Sequence, residues 1–144
     1  MKTSHHVNPE LILAFDTLIK TVRATLSRSL KTQGYLLTPP DITTLTLISK
    51  NPGMSLQKLV SMRGKDKAQI TRKVKELEKK ALLYRQKDVN DQRSYQLFLT
   101  EEGKQVQVKV VAIRTKVYKQ IFSGLDTLEQ KQLMELMQKC LNAI

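Results

Sequence analysis

The sequence predicts a mainly α fold with a small β-hairpin wing, and three observations lead there. Apolar residues recur at helical spacing over most of the chain. Capping and turn residues interrupt them at regular points. One stretch, Leu82 to Leu99, changes to strand-like alternation around a polar loop. The 144 residues suffice for one domain with an appended element, and for a core that needs neither disulfide nor metal.

The elements follow in order. Leu11, Phe15, Leu18, Val22, Leu26 and Leu30 recur at spacings of three and four, with Ile12 and Ile19 widening the stripe. This predicts a long amphipathic helix from roughly Pro9 to Gln33, stopped at Gly34. Thr38-Pro39-Pro40-Asp41 reads as a second helix start, with threonine as cap, proline in the first turn and Asp41 answering in a capping box. That helix ends at Asn51-Pro52-Gly53. Ser55 caps a short third helix that buries Leu56, Leu59 and Val60, and Arg63-Gly64 forms the next turn.

Asp66 with Gln69 predicts another capping box, opening a fourth helix whose seam is Ile70, Val74, Leu77 and Ala81. Leu82 to Lys87 and Ser94 to Leu99 suit strands around the loop Asp88–Arg93. Thr100 starts a fifth helix. Its valines partly alternate, but Val106, Val110, Ile113, Val117 and Ile121 fit helical spacing over a stretch too long for a strand. Asp126 caps the last helix, which carries Leu128, Leu133, Leu136, Met137, Cys140 and Leu141. Cys140 is the only cysteine, which excludes an intrachain disulfide and suits a reducing cytoplasm. Its helical spacing from Leu133, Leu136 and Met137 predicts a packed apolar position.

The formal net charge is +12, from 25 basic and 13 acidic residues. Such an excess points to a polyanionic partner. Between Arg63 and Lys87 stand ten basic residues against three acidic ones, so most of the surplus lies there. No run reaches the roughly 18 apolar residues of a membrane span, and no signal peptide core is present at the N-terminus. A membrane partner is therefore not expected. Adjacent His5 and His6 read as solvated, not as metal ligands. No Gly-rich phosphate loop, metal-ligand spacing or nucleophile–base pattern marks an enzyme, and no cofactor is called for.

Two short helices, a tight turn, a basic helix and a hairpin make a winged helix-turn-helix. Placed on a wheel from Ile70, the fourth helix turns Lys65, Ala68, Arg72, Lys75 and Lys79 outward, with Gln69 and Glu76 on one shoulder and Thr71 on the other. Arginine bonds a guanine edge bidentately and glutamine an adenine edge, so Arg72 and Gln69 are candidate base readers. Lys65, Lys67, Lys73 and Lys75 are candidate phosphate contacts. Ala68 leaves room for close approach to double-stranded DNA near the helix start, and Thr71 is a further candidate contact on the shoulder.

On the hairpin, Arg85, Lys87, Asp91, Arg93 and Ser94 form the candidate wing contacts. Arg93, braced by Asp91 or Asp88, is aimed at a minor groove. The competing reading is a basic RNA-binding protein without catalytic activity. With four tyrosines, three phenylalanines and no tryptophan, the chain lacks the stacking residues that single-stranded RNA would use.

Three passages resemble the MarR family of bacterial regulators. They are Leu37-Thr38-Pro39-Pro40-Asp41 through Leu47; Ala68-Gln69-Ile70-Thr71-Arg72 through Leu77-Glu78 and Leu82-Leu83-Tyr84-Arg85; and Asp88 to Ser94 followed by Leu97-Phe98-Leu99-Thr100-Glu101-Glu102-Gly103. The last is the most specific, an Asp-x-Arg wing followed by a Leu-Thr-x-x-Gly helix start. The resemblance implies a homodimer in which residues 1–34 and 101–144 form a helical dimerisation region around a winged helix-turn-helix at 35–100. The apolar stripes at both chain ends support that independently.

It also implies a cytoplasmic repressor, associated with the bacterial nucleoid, that binds a pseudo-palindromic operator and is released by a small-molecule effector. Arg72 maps to a base-contacting position, Arg93 to the wing arginine and Asp91 to the acid that pairs with it. One departure is Ala81, where the family usually has glycine. Alanine takes a left-handed cap only at a cost, so the sequence predicts a different helix-to-strand transition.

Overall fold

The computed structural model describes residues 6–64 and 66–144. The helices are α1 (Pro9–Thr32), α2 (Pro39–Lys50), α3 (Leu56–Arg63), α4 (Lys67–Lys79), α5 (Glu101–Ile121) and α6 (Thr127–Asn142). The strands are β1 (Met54–Ser55), β2 (Leu83–Lys87) and β3 (Tyr95–Leu99). The chain divides into two compact units, Ser27–Ile113 and Met1–Leu26 with Arg114–Ile144. The expected boundaries at 34/35 and 100/101 both fall inside the first of these.

The Ser27–Ile113 unit holds the core. Leu45, Leu59, Leu77 and Leu97 are fully buried, and Leu30 and Val110 join them from the end of α1 and from α5. The winged unit therefore takes part of its interior from both flanking helices. Its sheet is antiparallel in the order β1-β3-β2. Leu83 stands opposite Leu99, Arg85 opposite Leu97, and Met54 opposite Leu97 on the other edge. Alternation holds in β3 for Leu97 and Leu99, which face the core with half-buried Gln96 and Phe98 on the other face, while Tyr95, on the same face as the two leucines, is exposed at the strand's outer end. The two-residue β1 has no periodicity to betray it, and only its partner strand defines it.

Local caps explain most boundaries. Thr38 Oγ1 accepts the Asp41 N–H and Asp41 Oδ2 accepts the Thr38 N–H at 2.7 Å, completing the box at the start of α2. Ser55 Oγ accepts the Lys58 N–H at 3.0 Å, and Gly64 ends α3 with φ of +59°. The α4 start differs from expectation. Asp66 Oδ1 accepts the Ala68 N–H at 3.0 Å, and Gln69 does not answer, so there is a cap but no box.

The end of α4 carries two corrections. Ala81 lies beyond the helix and is exposed, so the buried seam is Ile70, Val74 and Leu77 only. Ala81 also has φ of +57°, the left-handed conformation that its side chain disfavours. The transition is thus the glycine-like one, made by alanine.

The second unit is different in character. In α6 no residue is buried within the single chain, and Leu128, Met134, Leu136, Met137 and Leu141 are exposed. Leu11, Ile12, Leu13, Phe15 and Leu18 of α1 are exposed as well. Cys140 is exposed, contrary to the packed position expected of it within the chain. The capping box at Asp126 is complete, with Glu129 Oε2 accepting the Asp126 N–H at 2.9 Å.

Candidate nucleic-acid interface

Burial of Ile70, Val74 and Leu77 fixes which side of α4 is turned outward. Lys67, Ala68, Gln69, Arg72, Lys75 and Lys79 are exposed. A shallow concavity of about 630 Å³ is lined by Asp66, Lys67, Ala68, Thr71, Arg72 and Lys75. Thr71 is half-buried, and its hydroxyl donates to the Lys67 carbonyl at 2.8 Å. Its hydroxyl donor is thus already used. Gln69 is exposed but lies outside that concavity, and Lys65 lies outside the described residues. His5 also lies outside them, and His6 is exposed.

Lys73 is not on the open face. Its Nζ lies 3.0 Å from Asp41 Oδ1 and 2.9 Å from Glu76 Oε2. The contact with Asp41 is a close charge pair outside hydrogen-bond alignment, whereas that with Glu76 is an aligned hydrogen bond. Burial pushes the Asp41 carboxyl up, but the Thr38 N–H and the Lys73 ammonium outweigh it and hold the group below its ordinary range. Burial likewise pulls the Lys73 ammonium down, and Glu76 and Asp41 together raise it above its ordinary value. Lys73, expected as a phosphate contact, thus stands in an internal ion pair with Asp41 and Glu76. Asp41 stands 32 positions away, beyond the reach of any helical pattern.

Arg85 is similarly engaged. Its Nε lies 3.1 Å from Glu78 Oε2, and its guanidinium stands 5.1 Å over the Tyr95 ring. It is half-buried between the end of α4 and both strands, not projected from the wing. Lys87 is exposed at the end of β2.

The wing tip is built by backbone bonds. Asp88 Oδ1 accepts the Asn90 N–H at 2.9 Å and Asp91 Oδ1 accepts the Arg93 N–H at 3.0 Å. The Ser94 N–H donates to the Asp91 carbonyl at 3.0 Å, and Ser94 is half-buried. Among the described residues no ion pair joins the Arg93 side chain to Asp91 or Asp88. Bracing of Arg93 by Asp91 is thus a turn that aims the backbone, and the guanidinium stays exposed. The arrangement offers an open cationic helix face and, on the hairpin, an arginine whose donors face solvent. Both suit a polyanion, and neither resembles a reaction centre.

Residues 37–95 match the model of the MarR family. The transcriptional regulator HosA of Escherichia coli O127:H6 is 27% identical over 106 residues, covering 74% of this chain and 78% of that protein. The HTH-type transcriptional regulator YkoM of Bacillus subtilis is 29% identical over 129 residues, covering 90% of this chain and 82% of that protein. Among solved structures, a MarR protein from Peptoclostridium difficile superposes with a TM-score of 0.80 at 24% identity, covering 99% of this chain and 90% of that one. That likeness shows the fold. The family match over the winged segment and the regulators among its relatives together support a MarR family transcriptional regulator.

Proposed function

We propose that the chain works as a homodimer that binds a pseudo-palindromic double-stranded DNA operator as a repressor and leaves it when a small-molecule effector binds. The observation that carries the DNA reading is the open face of α4, where Lys67, Ala68, Arg72 and Lys75 line one concavity while the internal ion pair at Lys73 lies off it. In this reading Arg72 and Gln69 read base edges in the major groove. Lys67 and Lys75, with Lys65, neutralise phosphates. Arg93 reaches the adjacent minor groove from the turn that Asp91 holds, with Lys87 and Ser94 beside it.

The dimer is supported by the apolar residues that α1 and α6 leave exposed, since a monomer would present them to water. A two-fold dimer presents two recognition helices to half-sites about one helical turn apart, roughly 34 Å. Release by an effector rests on family resemblance alone.

The test is footprinting on genomic DNA fragments with the purified chain, followed by binding to the recovered duplex and to an RNA duplex of equal length at fixed salt. The expected result is protection of two related half-sites and tighter binding to DNA. Tighter binding to RNA would replace this reading with the RNA-binding one.

A further inference from the structure

The recognition helix is tied to one short stretch of chain at two points. Near its middle, Lys73 pairs with Asp41, whose side chain is 3% exposed and also caps α2 through the Thr38 N–H at 2.7 Å. Just past its end, Lys80 Nζ donates to the Leu36 carbonyl at 2.9 Å. Both ties land between Leu36 and Asp41, the connection from α1 into α2. A lysine drawn inward this way is remote in role from Lys75, two residues on, which is exposed on the open face.

The Lys73 side chain is 23% exposed and lies between two carboxylates, so its charge is neutralised before any phosphate approaches. Asp41 has no other role in DNA binding, being buried beneath α4. We infer that Lys73 and Asp41 are positioning residues for DNA reading: the pair sets α4 on the first turn of α2, with Lys80 as a second tie, and contributes no phosphate contact. This rests on the DNA-binding reading and deepens it. Two of the basic residues in the most basic segment then give orientation instead of electrostatic attraction.

The difference is measurable because a phosphate contact and a positioning contact leave separate marks. Losing a phosphate contact weakens all duplexes alike and flattens the salt dependence. Losing a positioning contact weakens only the duplex whose base edges must be met in register. The experiment measures binding of the full chain to the duplex recovered by footprinting and to a scrambled duplex of equal length, across a salt series. Lys73→Met, Asp41→Asn, Lys73→Arg and Lys75→Ala are compared with the unaltered chain.

Lys73→Met and Asp41→Asn are expected to lower the ratio of specific to scrambled affinity by about three- to tenfold, within the range of coupling carried through packed side chains. The salt slope on scrambled DNA stays unchanged for both. Lys73→Arg restores the ratio, and Lys75→Ala flattens the slope on both duplexes. A slope for Lys73→Met as flat as that of Lys75→Ala would overturn the inference. So would an Asp41→Asn ratio equal to that of the unaltered chain.

Asp41→Asn keeps the Lys73 charge and an amide oxygen for the cap, so it decides the matter even where Lys73→Met does not fold. If the unaltered chain binds neither duplex in a salt-dependent way, the DNA-binding reading falls first and this inference with it. If the unaltered chain binds and the variants do not separate, this inference falls alone.

Discussion

Thr100 Oγ1 donates to the Ala81 carbonyl at 2.6 Å, joining the start of α5 to the one non-glycine residue with a left-handed backbone among those described. The same hydroxyl accepts the Gly103 N–H at 2.9 Å, and the Thr100 N–H donates to the Leu82 carbonyl at 3.1 Å. The turn after the recognition helix is thus held by the residue that opens the next helix. An L side chain in that conformation costs about 1–2 kcal/mol, while glycine adds back about 0.5–1 kcal/mol of unfolded-state entropy. Because Ala81 is exposed, Ala81→Gly is expected to stabilise the chain by up to about 1 kcal/mol. Urea denaturation with the slope held constant checks this.

Gly103 answers to a different constraint. A Cβ built there would stand 1.9 Å from the Leu82 carbonyl oxygen, so α5 approaches the backbone just before β2 too closely for any side chain. Gly103→Ala is expected to lose at least about 2 kcal/mol, since the obstacle is backbone. A melting temperature within a degree or so of the parent would show that α5 can shift freely.

The Asp41–Lys73 pair predicts a pH profile. A carboxyl held below its ordinary range in the folded chain adds stability above its unfolded pKa of about 3.9, and loses it as pH falls through the folded value. An ammonium held above its ordinary value adds stability below its unfolded pKa of about 10.4, and loses it as pH rises through the folded value. Asp41→Asn should therefore be less stable by about 1–3 kcal/mol near neutral pH. The gap should narrow below about pH 4. Denaturation of both chains across the acid range reads it directly, and a constant gap down to full protonation would count against the pair.

Arg72→Ala is expected to weaken operator binding by about 1–3 kcal/mol and to relax preference at one base. Lys75→Ala should weaken every sequence alike and reduce the salt slope by about 0.9. Equal losses on specific and scrambled DNA for Arg72→Ala would remove its base-reading role.

Phe15→Asp, on the exposed stripe of α1, is expected to shift the chain toward monomer in sedimentation at low micromolar concentration. A charge on an apolar contact face opposes association. Unchanged sedimentation would take Phe15 out of the interface.

Much of this molecule is legible in its sequence because much of it is locally encoded. The boxes at Thr38 and Asp126 and the seam of α4 depend on residues three or four apart. The hairpin is local in another way, since its two strands flank their own loop. What escapes is non-local. Strand β1 exists because Gly53 and Met54 meet Leu97, more than forty residues later. Lys73 and Lys75 are the same letter on the same helix, and the non-local partner that draws Lys73 inward, Asp41, stands 32 positions away. Arg85 reads as a wing cation until Glu78 and Tyr95 enclose it. Ala81 misleads in two ways: spacing puts it in the seam, and its chemistry argues against the turn that the surrounding hydrogen bonds impose on it.

Strand β3 is hydrogen-bonded along both edges, by β1 and by β2. The tip at 88–94 therefore hangs from a strand whose anchorage does not depend on it. In evolutionary terms that makes the tip a cassette. Its length and charge can drift, or be exchanged between regulators by grafting, and change which duplexes are favoured while the scaffold beneath keeps its shape.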